Sequence, residues 1–375
     1  MGLSTREEDC PKILVSMGAY VIILPDKKYI NVADVTDFGN IEADVSSHTD
    51  VVFEMCRVDG SAYDDAIGSA DEPKEPANQD LWIDTSNTPH TLKQWSESSG
   101  MWVSIATTYI KISSAGIGKA FKAYDGVTIS GIENEQLSDL NNTMIIWERG
   151  DDYIVVTGIL DTVTTQKTPI TIKREMPNMD FIIESENRLW GCKYGVAKNG
   201  QVVNEIYASK LGDAFNWNVF DGLATDSYAL DVGSAGDFTG CMAYGGFAIF
   251  FKGDQVYKGY GDKPTNFKAM ASASLGVMRG SADSLAVAGE TLYYLSRVGV
   301  MAYTGGIPTL ISSVLGDSSY SYAVAGSDGL KYYISMRDSK SGEYSLFCYD
   351  TRIHRWYRED STKAVGFCYY DGLRM

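Results

Sequence analysis

Histidine is almost missing from this sequence: His48, His90 and His354 are the three among 375 residues. None falls in a His-Glu-x-x-His pattern or beside a cysteine at ligand spacing, which removes the usual material of a metal-dependent catalyst. Cysteine is sparse and unpaired. Cys10, Cys56, Cys192, Cys241, Cys348 and Cys368 stand far apart with no Cys-x-x-Cys, so neither a zinc knuckle nor a disulfide scaffold is indicated. Several interrupt apolar runs, as in Leu346-Phe347-Cys348-Tyr349 and Gly366-Phe367-Cys368-Tyr369, where free thiols pack as small hydrophobes. No apolar run nears the ~18 residues that a membrane span needs. Residues 1–15 carry Arg6, Glu7, Glu8, Asp9 and Lys12 and hold no apolar signal region. Synthesis in a cytoplasm, with no signal peptide or transmembrane segment, is the expectation. Positive charge is scarce too: 32 Lys and Arg against 49 Asp and Glu leave a formal −17. With no visible segregation of the basic residues, such a surface repels phosphate backbones and excludes nucleic acid as a partner.

What is present is strand-and-turn language. Tyrosine (24) and glycine (37) are abundant, hydrophobic residues make up 44%, and sustained 3.6-residue periodicity is absent. Short β-branched and aromatic runs alternate with Gly, Asp, Asn and Lys turns, which reads as all-β. Five units share one plan of strand, tight turn and strand. They run Ala19 to Val32, Arg188 to Ser209, Phe247 to Lys258, Thr291 to Tyr303 and Lys331 to Asp350. The last three begin near 247, 291 and 331, a period of about forty residues that fits β-propeller blades. Weaker strands before them, Ser284 to Ala288 and Tyr322 to Gly326, would line the central channel.

The period breaks between the first two units. Residues 1–60 read as the first hairpin of the propeller, 61–100 as an acidic, Pro-containing loop (Asp64 to Pro76) and connector, 101–176 as an inserted small β domain, and 177–375 as the remaining blades. Both ends look like parts of hairpins. The ring is therefore expected to be incomplete, or closed by its termini or by partners that cover open edges.

Chemistry is thin. Ser113 to Ala120 imitates a phosphate loop, but Ser113 replaces the first glycine, Ala120 replaces the magnesium-binding hydroxyl, and both flanks are strand-like. No Gly-x-Ser-x-Gly elbow exists. Asp151-Asp152 sits in a turn, as chance pairs among 49 acids do. The acidic loop from Asp64 to Glu75 lacks the alternating carboxylates of a calcium loop. Asn141-Asn142-Thr143 is a glycosylation sequon without a secretion signal. Ser209 to Asn218 partly resembles the Asp-box hairpin of sialidase propellers, with glycine and aspartate in the wrong order and Trp217 as a packing anchor. No catalytic, cofactor-binding or metal-binding residue is assigned. Trp217, Arg355, Trp356 and Tyr357 are the candidate interaction anchors, being aromatic or arginine residues near strand ends.

Three phrases stand out together: Leu14 to Tyr20 with Pro25 to Tyr29, Glu186 to Gly191, and Asn204 to Asp213 with Asn216-Trp217. As a set they resemble structural proteins encoded by tailed phages and prophages of Firmicutes-type bacteria, from the first ten residues nearly to Asp360. The resemblance implies a virion or tail-associated propeller whose relatives carry extra N-terminal sequence, so that this chain opens inside a blade. It implies other virion proteins, a second copy, or a host-surface receptor as partners, and brings no catalytic residue. The expectation is a non-enzymatic platform in a phage tail or tail hub. The alternatives are a glycan-binding propeller and, behind it, a glycosidase with acids converging on a pocket.

Overall fold

The computed structural model describes residues 2–4, 12–63, 66–196, 200–261, 263–370 and 373–374. Five antiparallel four-stranded sheets follow one another as meanders, residues 13–40, 181–231, 238–273, 286–310 and 320–360. They are blades 1 to 5 of a β-propeller. The five hairpins read from the sequence are the second and third strands of these blades. The weaker segments are the innermost strands Ala286–Ala288 and Tyr320–Ser327.

The middle strands explain why the apolar runs are continuous rather than alternating. In a strand, successive side chains point to opposite faces, and here both faces are covered. Along Phe247–Lys252, Ala248 and Phe250 pack toward Trp190, Cys192 and Ile206 of blade 2. Ile249 and Phe251, between them, pack toward Leu292, Tyr294 and Met301 of blade 4. Thr291–Ser296 repeats the device, giving Leu292 and Tyr294 to blade 3 and Tyr293 and Leu295 to Tyr332, Ile334 and Phe347 of blade 5. Val15, Met17, Ile22 and Leu24 join blade 1 to Ile182 and Leu189 of blade 2. Each such side chain contributes roughly 1.5–3 kcal/mol by leaving water.

Tight first turns set the register. Glu186-Asn187, Gly245-Gly246 and Gly289-Glu290 all hold positive φ at both central residues, the type I′ geometry whose twist matches that of the flanking strands. Among the described residues, hydrophobic clusters join blades 1 to 2, 2 to 3, 3 to 4 and 4 to 5, and none joins 5 to 1. The far face of blade 5 is covered by the chain that follows it. The Ser335 hydroxyl donates to the Thr362 carbonyl at 2.8 Å and accepts from the Ala364 amide at 3.1 Å, and Phe367 lies against Gly326 with no room for a Cβ. The closing hairpin pairs Tyr369–Tyr370 with Leu373–Arg374; Asp371 and Gly372 lie outside the described residues.

The insertion starts earlier than 101. Val51–Cys56 pairs with Tyr109–Ser113, and Ala43–Ser46 with Thr171–Arg174, so residues 43–174 form one body of two packed sheets. Its core includes Phe53, Ile110, Ile112, Val127, Ile154 and Ile172. These partners lie more than fifty residues apart, and pattern within a segment does not show them. Residues 61–100 are not a mere connector either. Ile67–Ser69, Leu81–Asp84 and Thr91–Ser96 build a satellite sheet with Met101–Ser104; Asp64 and Asp65 lie outside the described residues. Blade 1 has all four strands from Ile13 onward, which corrects the expectation of an opening inside a blade. Cys56, Cys192 and Cys348 are buried free thiols, burial pushing Cys56 up to about 12. Cys368 is exposed, and Cys10 is outside the described residues.

Candidate interaction site and its rigid joint

The expected anchors separate. Trp217 is 3% exposed, packed into the core between blades 1 and 2, with its indole N–H donating to the Ala214 carbonyl at 3.1 Å. It is no surface anchor; the apolar interblade seam has absorbed it. Arg355, Trp356 and Tyr357 share the outer strand Arg355–Asp360 of blade 5. Alternation sends Trp356 inward against Phe347 and Tyr349, its N–H on the Ile311 carbonyl at 2.9 Å, while Arg355 and Tyr357 face solvent.

The segment around Trp217 does something the sequence did not reveal. It locks the insertion to the propeller. Asp213 turns the chain by accepting from the Phe215 amide at 2.8 Å, and this places Phe215 edge-on to Tyr29 (4.8 Å) and Tyr20 (5.1 Å) of blade 1. The next residue, Asn216, is 1% exposed and reaches the insertion. Its amide donates to Asp125 at 3.1 Å and its carbonyl accepts from the Gly126 amide at 2.8 Å. Asp125 also pairs with the Arg174 guanidinium, which donates through Nε to the Ile41 carbonyl at 2.9 Å. Arg174 lies 5.7 Å from the Phe215 ring centroid. Asp125 and Arg174 are 3% and 7% exposed, so charge, counter-charge and amide are sealed together. Glycine at 126 follows from the fit, because a Cβ there would stand 2.7 Å from the Val219 side chain.

The satellite sheet carries three tryptophans on one face. Trp102 lies between Trp82 and Trp95, 5.5 Å from each ring in edge-to-face contact. Trp95 and Trp102 are half-buried, and the Trp102 Nε1, itself shielded from solvent, has no hydrogen-bond partner among the described residues. The apolar run Leu-Trp-Ile (81–83) and the tryptophans at 95 and 102 were the available signal, the first two hidden inside a segment read as loop and connector. His90 ties this sheet to the insertion, its Nδ1 2.5 Å from Asp161 and 2.9 Å from the Gln136 amide, beside a cleft of about 500 Å³ lined by Pro89, Leu137 and Met144.

The other chemical candidates resolve into structure. Gly118 abuts the Gly150 and Tyr153 carbonyls, where any Cβ would collide, and Ile117 and Phe121 are buried in the insertion core. Asp152 accepts from the Gly116 amide at 2.7 Å. His354 sits in an exposed turn at φ 52° with Nδ1 3.0 Å from the Tyr349 hydroxyl, and His48 is exposed. Among the described residues no group of His, Cys, Asp or Glu is placed to hold a metal ion, and no helix is long and apolar enough to cross a membrane.

No protein-family model matches the chain, and no curated protein matches it. Solved structures with some similarity include a protein described as exported from Bacteroides fragilis, 10% identical, covering 93% of this chain and 70% of that one at a TM-score of 0.25. Another is an auxiliary nutrient binding protein from Bacteroides ovatus, 10% identical, covering 72% of each chain at a TM-score of 0.24.

Two outcomes follow. Asp125→Leu leaves the Arg174 guanidinium buried without its counter-charge and lowers unfolding stability by about 3–5 kcal/mol, whereas Asp125→Leu with Arg174→Met recovers most of the loss, as read by denaturant titration. The second concerns acid. Asp84 is held down at about 2 by hydrogen bonds from Lys93 (2.7 Å) and then Ser86. Because its folded value lies below its unfolded one, the stabilisation is complete above the ordinary aspartate range and disappears as pH falls through about 2. Near-ultraviolet dichroism of the tryptophan row should hold steady from neutrality down to pH ~4 and change between ~4 and ~2, with Asp84→Asn removing that step.

Proposed function

We propose that the chain is a non-enzymatic structural component of a phage or prophage virion, in the tail or tail hub, acting as a rigid platform for protein partners. The observation that carries this reading is the buried joint of Asp125, Arg174 and Asn216. A module of more than a hundred residues is fixed to the blades by a satisfied polar network, which suits a scaffold that holds two surfaces at a set angle. Blades packed on both faces by large apolar side chains support the same reading, as does the resemblance of the phrases at 14–29, 186–191 and 204–217 to tail-associated propellers. The partners are other virion proteins, and the place of work is the virion, after synthesis in the host cytoplasm.

A second reading, binding of a host-surface glycan, is favoured by one observation: the half-buried Trp95 and Trp102 stand together on one face of the satellite sheet. A part-exposed ring face matches the C–H face of a sugar. One experiment separates the two readings. Gold-labelled antibody against this chain should decorate the tail of purified particles. Label absent from particles, with the protein instead retained on host cell-wall polysaccharide and released by Trp95→Ala, would overturn the first reading in favour of the second.

A further inference from the structure

Among the described residues, every blade ends on an outer strand with one edge that no further strand joins. Such an edge is a template for another strand, and proteins blunt it by shortness or by charge. Four of the five edges are blunted in one of these ways. Phe38–Asn40 has three residues, Thr309–Leu310 two and Tyr228–Asp231 four, while Arg355–Asp360 carries Arg355, Arg358, Glu359 and Asp360. The outer strand of blade 3 is different. Lys268–Ala273 runs six residues as Lys-Ala-Met-Ala-Ser-Ala, with its one charge at the end and no proline. Five of the six side chains are exposed, Met270 at 61%.

Beside this edge lies a groove of about 700 Å³, opening toward the outer strand of blade 2 and lined by Leu230, Asp231, Val232, Tyr257, Phe267 and Ala269. Its floor is firm. Tyr257 bonds the Gln255 side chain at 2.8 Å and the Ser234 hydroxyl. Beneath, the buried Lys252 ammonium donates to the Asn204 side chain at 2.8 Å and the Ser234 carbonyl at 2.6 Å, 4.6 Å from the Phe238 ring. Charge singles out the same place. The third and outer strands of blade 3 with their connection, residues 255–273, hold Lys258, Lys263 and Lys268 against Asp262, a formal +2 within a chain of −17. This corrects the impression that the basic residues are evenly spread. Lys263 and Lys268 face solvent on the edge side, while Asp231 stands across the groove on blade 2 and Arg279 is paired with Asp237.

We propose that the edge Lys268–Ala273 and its groove receive an extended acidic segment of a partner protein, which adds a fifth strand to blade 3. The inference rests on the reading of the chain as a partner-binding platform and names the surface it uses. Main-chain hydrogen bonds along the edge supply affinity, and the groove takes alternate side chains of the incoming strand. Lys263 and Lys268 select carboxylates on the others. Self-pairing of two copies through this edge sets basic blade against basic blade, so a second copy is the disfavoured occupant.

The test uses the full chain and blocked hexapeptides followed by amide chemical shifts and hydrogen exchange. A peptide alternating valine with glutamate should shift and protect amides within 268–273. Added salt and Lys268→Glu should each weaken its binding, the latter by about threefold or more. A valine–lysine peptide, or the acidic peptide interrupted by proline, should do neither. Equal binding of the basic peptide, effects centred elsewhere, or protection that grows with protein concentration without peptide would overturn the assignment. Gold label on virion tails together with any of these results would sink the edge assignment and leave the platform reading standing.

Discussion

An arginine without access to water must have its charge answered on the spot, and in this protein that requirement holds two modules together. Arg174 closes the last long strand of the insertion, and Asp125 opens another. Their pair is completed by Asn216, which belongs to blade 2. A buried ion pair adds little net stability over a well-packed apolar one, since desolvation offsets most of the attraction. Its value here is positional. An apolar patch tolerates sliding, whereas a guanidinium, a carboxylate and an amide satisfy one another in one arrangement only. Phe215 extends the constraint to blade 1 through Tyr20 and Tyr29. Three parts of the chain, near 20–40, 125–174 and 213–217, therefore settle into place together.

The blades give the joint something stiff to act on. Middle strands buried on both faces cannot tilt without opening two cores at once, and the aromatic fill makes those cores expensive to open. Phe250, Phe251, Tyr294 and Tyr332 are all essentially inaccessible. Their burial raises the tyrosine pKa values, Tyr332 well above the ordinary range, so these hydroxyls remain neutral donors such as that from Tyr332 to the Ser284 carbonyl at 2.7 Å. Functional surface is left to the margins: outer strands, the satellite sheet and the grooves between blades.

That division also explains what could be read from the sequence. The hairpins at 247, 291 and 331 were legible because a strand covered on both faces is apolar throughout and ends at turn residues. The all-β propeller with an inserted β domain follows from them. The insertion's true start at Ala43 was not legible, because Val51–Cys56 finds its partner only across the satellite sheet. Trp217 was read both as a packing anchor and as a candidate interaction anchor, because a tryptophan among polar neighbours reads the same whether it lies on a surface or in a seam; the seam holds it. The strand Lys268–Ala273 escaped notice for the opposite reason: alanine and serine carry no periodic signal, and their smallness is what leaves the edge bare.

Rigidity between the modules is the claim on which the rest turns. With spin labels at the exposed Val163 of the insertion and Val298 of blade 4, pulsed dipolar spectroscopy measures their separation directly. One narrow distance is expected, broadening when Asn216 is replaced by alanine. A broad or multimodal distribution in the unaltered protein would contradict it.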